Sequence, residues 1–313
     1  MYNYDVDIDK HHIKIHQSKK LDLRNAIVFD GFPSVGLVST IATNYLINVL
    51  ELEQIGIIDS VAFPALSIIR NGEPLSPVRI YGGRKKVNGD SGETQNIVVF
   101  ISEFAPPLNM IKPLAKLIVD FAVENDCHLI ITPEGWAVGE RTAPELPAGE
   151  DYEEVDSPLE QSAKVLHQAL EGNGQATVDQ PAGETQDFTQ KKEKKTPVYG
   201  VGSTNYSHDI LKKNSVIPFL NGAITGVSGV LLNEGKKRNR DVICLLAEAQ
   251  QNFPDARAAA SIVDAIDKII FNIDIDPEPL FAEAEIIESQ IIMMHNQVQT
   301  DGTANKPPKF MYG

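Results

Sequence analysis

The sequence predicts an α/β protein built on a sheet that is at least partly parallel. Three observations carry this reading. Short β-branched runs alternate with amphipathic stretches of helix length. The same vocabulary recurs on both sides of an acidic gap. The 313 residues, 42% of them hydrophobic, are enough for one large or two ordinary domains with a real core.

The elements follow in order. In KHHIKIHQ, a strand would put His12, Lys14 and His16 on one face and Ile13 and Ile15 on the other, an exposed face over a buried one. Ile27 to Gly31 is an apolar run closed by glycine. After it, Val35, Val38, Ile41, Ala42, Tyr45 and Leu46 have helical spacing, giving strand, tight turn and helix. The grammar repeats through IGIIDSVAF, NIVVFIS, a helix from Met110 to Asn125, and CHLIITPEG. Beyond the gap come VYGVGST, a helical or mixed stretch, ITGVSGVLLNEG, DVICLLAEA, and a helix at about 255 to 271 with apolar Ile262, Val263, Ile266, Ile269 and Ile270.

The gap is set apart by composition. From Glu145 to Gln190 there are eleven Asp or Glu and one basic residue, Lys164, with few large apolar side chains. Such a segment buries too little surface to offset its ordering entropy and is expected to be a mobile excursion. Within it Ser157, Pro158 and the stripe Leu159, Ala163, Leu166 and Leu170 could form one marginal helix. Past Pro277 and Pro279 a helix is expected, with Leu280, Ala284, Ile287, Ile291, Met294 and Val298 recurring at steps of four and three. That seam packs either on its own domain or on another subunit. The expected organisation is one α/β domain, residues 1–144 and 197–277, interrupted by an acidic insertion at 145–196. A C-terminal helix at 278–299 and a flexible tail at 300–313 follow.

Charge narrows the function classes. The net charge of −15 opposes the counterion-release attraction that a broad phosphate-backbone binder needs, so neither nucleic acid nor an anionic membrane is expected as a partner. Ten of those negative charges lie in the 46 residues of the gap, so the remainder is only mildly acidic. No apolar run is long enough to span a bilayer and the start, MYNYDVDIDK, has no signal core, so a cytoplasmic protein is expected. Cys127 and Cys244 sit in apolar runs without ligand spacing and read as buried, reduced thiols.

The chemistry-bearing residues are scattered. GVGST (Gly200 to Thr204) and GAITGVSG (Gly222 to Gly229) lack the Lys of a phosphate loop and the spacing of a dinucleotide fingerprint, so close backbone approach explains their glycines. The turn DGFPSVG (Asp30 to Gly36) closes a βα unit. Histidines 11, 12, 16, 128 and 208 have no local nucleophile or metal-ligand pattern, and no metal or cofactor is implied. Were the protein an enzyme, Glu103, Glu134, Glu140 and Arg141, at predicted C-terminal strand ends, would be its best catalytic candidates. The expectation is of no catalytic residues at all.

Taken together, IVFDGFPSVGLVSTIATNYLI, VVFISEFAPP, CHLIITPEGWAVGE, VYGVGST, ITGVSGVLL, FPDARAAASIVDAIDKII and DPEPLFAEAEIIES resemble the archaeal branch of the proteasome assembly chaperone family over roughly residues 20 to 290. The resemblance implies a three-layer α/β fold like that of nucleoside phosphorylases and peptidyl hydrolases, without enzymatic activity. It further implies a homo-oligomer and, as a partner, the proteasome core particle. The ending Met311, Tyr312, Gly313 is similar to the hydrophobic-Tyr-X termini of proteasome-binding factors. There a free carboxylate can pair with a Lys between α-ring subunits while Tyr312 and Met311 fill an apolar groove.

Overall fold

A computed structural model describes residues 2–5, 13–89, 92–137, 196–251 and 254–281. Its first strands are β1 (Tyr2–Asp5), β2 (Lys14–Gln17), β3 (Ile27–Gly31), β4 (Glu53–Asp59), β5 (Ile68–Arg70) and β6 (Glu73–Leu75). They are followed by β7 (Val78–Lys86), β8 (Thr94–Ser102), β9 (Leu129–Ala137), β10 (Val198–Gly202), β11 (Ile217–Pro218) and β12 (Val242–Ala249). The helices are α1 (Val38–Val49), α2 (Leu108–Glu124), α3 (Asn205–Lys213), α4 (Gly226–Arg238) and α5 (Ala256–Ile266).

Ten of these strands form one sheet in the order β1-β2-β4-β7-β8-β3-β9-β12-β10-β11, while β5 and β6 pair separately as a small hairpin. The centre, β8-β3-β9-β12, is parallel. From β8 outward through β7, β4, β2 and β1 every pairing is antiparallel, and on the other side β10 runs antiparallel to β12. The sheet is therefore mixed. Its central strands read as continuous apolar runs because both faces are covered.

Alternation along those strands divides the core in two. Ile27, Phe29, Val99, Ile131 and Leu245 face one side, where Val38, Ala42 and Leu46 of α1 and Ala259, Ile262, Val263 and Ile266 of α5 cover them. Val28, Val98, Phe100, Ile130 and Val242 face the other, under Leu114, Leu117, Ile118 and Phe121 of α2 and Val227 and Leu231 of α4. Spacing of four along α1 puts its apolar stripe on the sheet, and a buried side chain such as Leu46 contributes about 1.5–3 kcal/mol. Helix α5 is capped by Asp255, whose carboxylate accepts the Ala258 N–H at 3.0 Å. Its last turn widens into a π-turn at Asp267–Phe271, and Phe271 stacks on Phe29 with ring centroids 6.1 Å apart.

The strand, turn and helix expected from Ile27 onward are β3, a 3-10 turn at Val35–Leu37 and α1. Ile13 and Ile15 are buried while Lys14 and His16 are partly exposed, and both cysteines are buried and unpaired. The strand β7 has no counterpart in the sequence reading: Arg79 in mid-run and the Gly82–Gly83 pair disguise it. The acidic insertion placed at 145–196 lies outside the described residues except for Thr196, as do the tail at 300–313 and the helix at 278–299 beyond Phe281.

Candidate functional site

Two carboxyls, two hydroxyls and a sharp turn meet near the C-terminal ends of the central parallel strands, where open α/β sheets place their sites. Asp30 of β3, Thr132 and Glu134 of β9 and Cys244 of β12 share the sheet face beneath α2 and α4. Ser228, in the first turn of α4, comes down on them. The Thr132 hydroxyl lies 2.9 Å from Asp30 Oδ2 and 2.7 Å from Ser228 Oγ, and Ser228 Oγ lies 2.6 Å from Glu134 Oε2. Asp30, Thr132 and Ser228 are buried, and only Glu134 keeps a partly exposed edge.

Backbone geometry brings the loop after β3 onto this cluster. Gly36 adopts φ +62°, and a Cβ there would come within 3.0 Å of the Gln250 carbonyl oxygen. Leu37 follows at φ +52°, a conformation that strains a branched side chain. The loop thereby brings Ser34 and Val35 beside Glu134: Ser34 Oγ accepts the Gly135 N–H at 3.4 Å, and the nearby Val35 and Gly135 N–H groups favour the Glu134 carboxylate. Gly135 must lack a side chain, because a Cβ would sit 1.9 Å from the Val35 carbonyl oxygen. Ser39 Oγ donates to the Asp30 carbonyl at 2.8 Å and fixes the start of α1 to β3.

The electrostatics follow from burial. Asp30 is pushed up to about 6 by loss of water, against the opposing pull of the Phe32 N–H and the Thr132 hydroxyl. Glu134 is pushed up to about 8, first by burial; Ser228 and two backbone N–H groups pull it down, while the Asp30 charge adds to the rise. Cys244, opposite Thr132 in the β9–β12 register, is raised well above the ordinary thiol value by burial and then by the Glu134 and Asp30 charges. Cys127 is pushed up to about 12 by burial, so neither thiol is a nucleophile.

A second buried charge lies in the antiparallel half. Arg79 of β7 is fully buried, donating to the Ser76 carbonyl at 2.7 Å, the Tyr81 hydroxyl at 3.2 Å and the Glu103 carboxylate. Arg70 of β5 donates to the same Glu103 oxygen at 2.9 Å.

The structure thus separates the catalytic candidates read from sequence. Glu134 joins the Asp30 cluster; Glu103 is the counterion of two arginines; Glu140 and Arg141 lie outside the described residues. At the end of GVGST, Thr204 caps α3 reciprocally with Ser207 of the helix, at 3.2 and 2.9 Å, in place of cradling a phosphate. Gly229 faces the Ile224 carbonyl oxygen so closely that a Cβ would stand 2.1 Å from it. His128 meets the Tyr206 hydroxyl at 3.1 Å, and His208 is exposed. Leu280 is buried in the core of its own domain beside Phe281, whereas Ala284, Ile287, Ile291, Met294 and Val298, with Met311, Tyr312 and Gly313, lie outside the described residues. Sequence reading missed Asp30, Thr132 and Ser228 as site residues; the two-residue step from Thr132 to Glu134 on one strand was the available signal.

Comparison with known proteins places this architecture. A family model described as PAC2 family matches residues 28–294. The crystal structure of Pyrococcus furiosus PbaA, an archaeal homolog of proteasome-assembly chaperone, is 26% identical with a TM-score of 0.65, covering 91% of this chain and 93% of its own. That of Pyrococcus furiosus PbaB, an archaeal proteasome activator, is 21% identical with a TM-score of 0.63, covering 90% and 98%, a likeness of fold. An uncharacterized protein of Methanocaldococcus jannaschii is 24% identical over 279 residues, 89% of each chain.

Proposed function

The chain belongs to the PAC2 family, and on that premise we propose that it is a proteasome assembly chaperone or ATP-independent proteasome regulator. In this reading it docks on the α-ring of the core particle through Met311, Tyr312 and Gly313. The observation that carries the proposal is the likeness to PbaA across nine-tenths of both chains. The terminal Met-Tyr-Gly supports it with the chemistry of a carboxylate, an amphipathic ring and an adaptable thioether. If they behave as a flexible linker, the fourteen residues from Thr300 would span roughly 20 Å. One such tail binds weakly. A homo-oligomer, assembled in part through Ala284, Ile287, Ile291, Met294 and Val298, would present several tails and gain avidity.

Deleting Met311 to Gly313 should abolish co-migration with purified core particles and any stimulation of peptidase activity measured without ATP. Unchanged binding by the truncated chain overturns the docking proposal. An enzymatic reading of the Asp30 cluster has less behind it. The cavity of about 390 Å³ beside α4 is lined by Leu108, Lys112, Ile224, Thr225, Gly229 and Asn233 among others, and includes none of Asp30, Thr132 and Glu134.

A further inference from the structure

Three oxygen–oxygen contacts join the two carboxyls: Asp30 Oδ2 to Thr132 Oγ1 at 2.9 Å, Thr132 Oγ1 to Ser228 Oγ at 2.7 Å, and Ser228 Oγ to Glu134 Oε2 at 2.6 Å. Each is a hydrogen-bond distance and needs one proton. Each hydroxyl has a single hydrogen, so Thr132 and Ser228 supply two. The third must sit on a carboxyl. With both carboxyls ionised, one contact would set lone pair against lone pair, and two like charges would share a site with little water. We infer that Asp30, Thr132, Ser228 and Glu134 hold one shared carboxyl proton between them, and that this proton latches the first turn of α4 to β3 and β9 in a pH-sensitive way.

Two arrangements satisfy every contact. In the first, Glu134 is the acid and donates to Ser228, Ser228 donates to Thr132, and Thr132 donates to the Asp30 carboxylate. In the second, the direction of all three bonds is reversed. They interconvert when Glu134 gives its proton to Ser228 Oγ, Ser228 gives its own to Thr132 Oγ1, and Thr132 gives its own to Asp30. One O–H bond forms and one breaks at each hydroxyl, and the net charge stays at one negative. A second carboxyl proton finds no contact left to fill along the line, so it enters only at lower pH than the first; the other Asp30 oxygen meanwhile accepts the Phe32 N–H at 3.2 Å.

The groups that face this line come from every element around it. The strand β12 contributes Cys244, whose thiol stays protonated. Helix α4 carries Glu234 further along, tied to Arg238 at 2.9 Å, and Arg238 in turn pairs with Asp120 of α2. Lys112 of α2 lines the groove beside the first turn of α4. The loop after β3 contributes the uncharged Ser34, whose Oγ accepts the Ser39 N–H at 3.0 Å. The latch stands on the geometry of the described strands and does not depend on the docking proposal.

The test follows the side-chain carboxyl 13C signals of the full-length protein from about pH 4 to pH 10. Near pH 7 the expected result is one neutral carboxyl per chain, with the Asp30 and Glu134 signals moving through common steps. Cutting the line with Thr132→Val should make the two signals titrate separately. Glu134→Gln supplies the third proton from its amide, so the neutral-acid carbonyl band in the infrared should vanish at pH 7. Hydrogen exchange at the first turn of α4, corrected for its intrinsic pH dependence, should accelerate at least about tenfold in the wild type as the shared proton leaves, and stay unchanged in Glu134→Gln. Two ionised or two neutral carboxyls at pH 7, or independent titrations in the wild type, overturn the shared proton; exchange that ignores its loss overturns the latch. The wild-type spectra decide the first point alone, so a variant that fails to fold leaves no escape.

Discussion

In the parallel half of the sheet Asp30 and Glu134 bring two groups of the same sign under α4, while in the antiparallel half Arg79 and Glu103 bring opposite signs together beside Tyr81. Both arrangements pay for lost hydration, and they do it by different means. Opposite charges neutralise each other. Like charges can only reduce their repulsion by holding a proton, and so become sensitive to pH.

The largest effect should come from breaking the opposite-charge arrangement. Glu103→Ala leaves the buried Arg79 guanidinium with only the Ser76 carbonyl and the Tyr81 hydroxyl. Removing one member of such a pair costs about 3–5 kcal/mol. Chemical denaturation should show this loss as a lowered midpoint. A loss below about 1 kcal/mol would mean that water reaches Arg79 after all.

The like-charge arrangement should be exposed by pH. Both Asp30 and Glu134 titrate above their ordinary range when folded, so the native state binds more protons than the unfolded chain between about pH 4 and pH 8. Stability contributed by these groups is therefore complete below the ordinary carboxylate values and is lost as pH rises to about 8. Because water reaches part of Glu134, the linkage is discounted to about 2 kcal/mol across that window. Glu134→Gln should flatten the slope, measured as denaturation midpoint against pH, and a slope identical to the wild type would assign the effect to other groups.

The two halves also differ in how far the sequence reveals them. The strand, turn and helix from Ile27 to Val49 are legible because an apolar run, a glycine and a stripe spaced by four each carry their own local cause. The strand β7 is not, because a buried Arg79 looks like a surface residue until its partner 24 positions away is placed beside it. Only one of the four members of the cluster was legible. Glu134 could be singled out from its place at a strand end, but Asp30 and Thr132 are 102 residues apart and Thr132 and Ser228 are 96 apart. Only the sheet register and the descent of α4 bring them together. The glycines of GVSG hinted at close approach, and Ser228 lay unremarked among them.

A smaller effect tests whether the backbone turn belongs to the like-charge half. Gly36→Ala puts a side chain on a residue at φ +62° that three atoms crowd within about 3 Å. The direct cost should be about 1–2 kcal/mol. If the turn positions the Val35 N–H on Glu134, the variant should also raise the alkaline end of the stability profile, since a carboxylate that loses a donor holds its proton more tightly. A loss of stability with an unshifted profile would separate the turn from the cluster.

The smallest expected change sharpens the comparison from the other side. Arg70 donates to the same Glu103 oxygen as Arg79, at 2.9 Å, yet its side chain is 47% exposed where that of Arg79 is fully buried. Identical partners in different surroundings isolate the role of solvent. Water and salt already screen the Arg70 charge, so Arg70→Ala should cost no more than about 1 kcal/mol, and raising the ionic strength should shrink the difference further. Should Arg70→Ala instead match the loss on Glu103→Ala, the two arginines would be acting as one clamp on Glu103. The antiparallel half would then owe its stability to the hairpin β5–β6 closing over Arg79 and not to the buried pair itself.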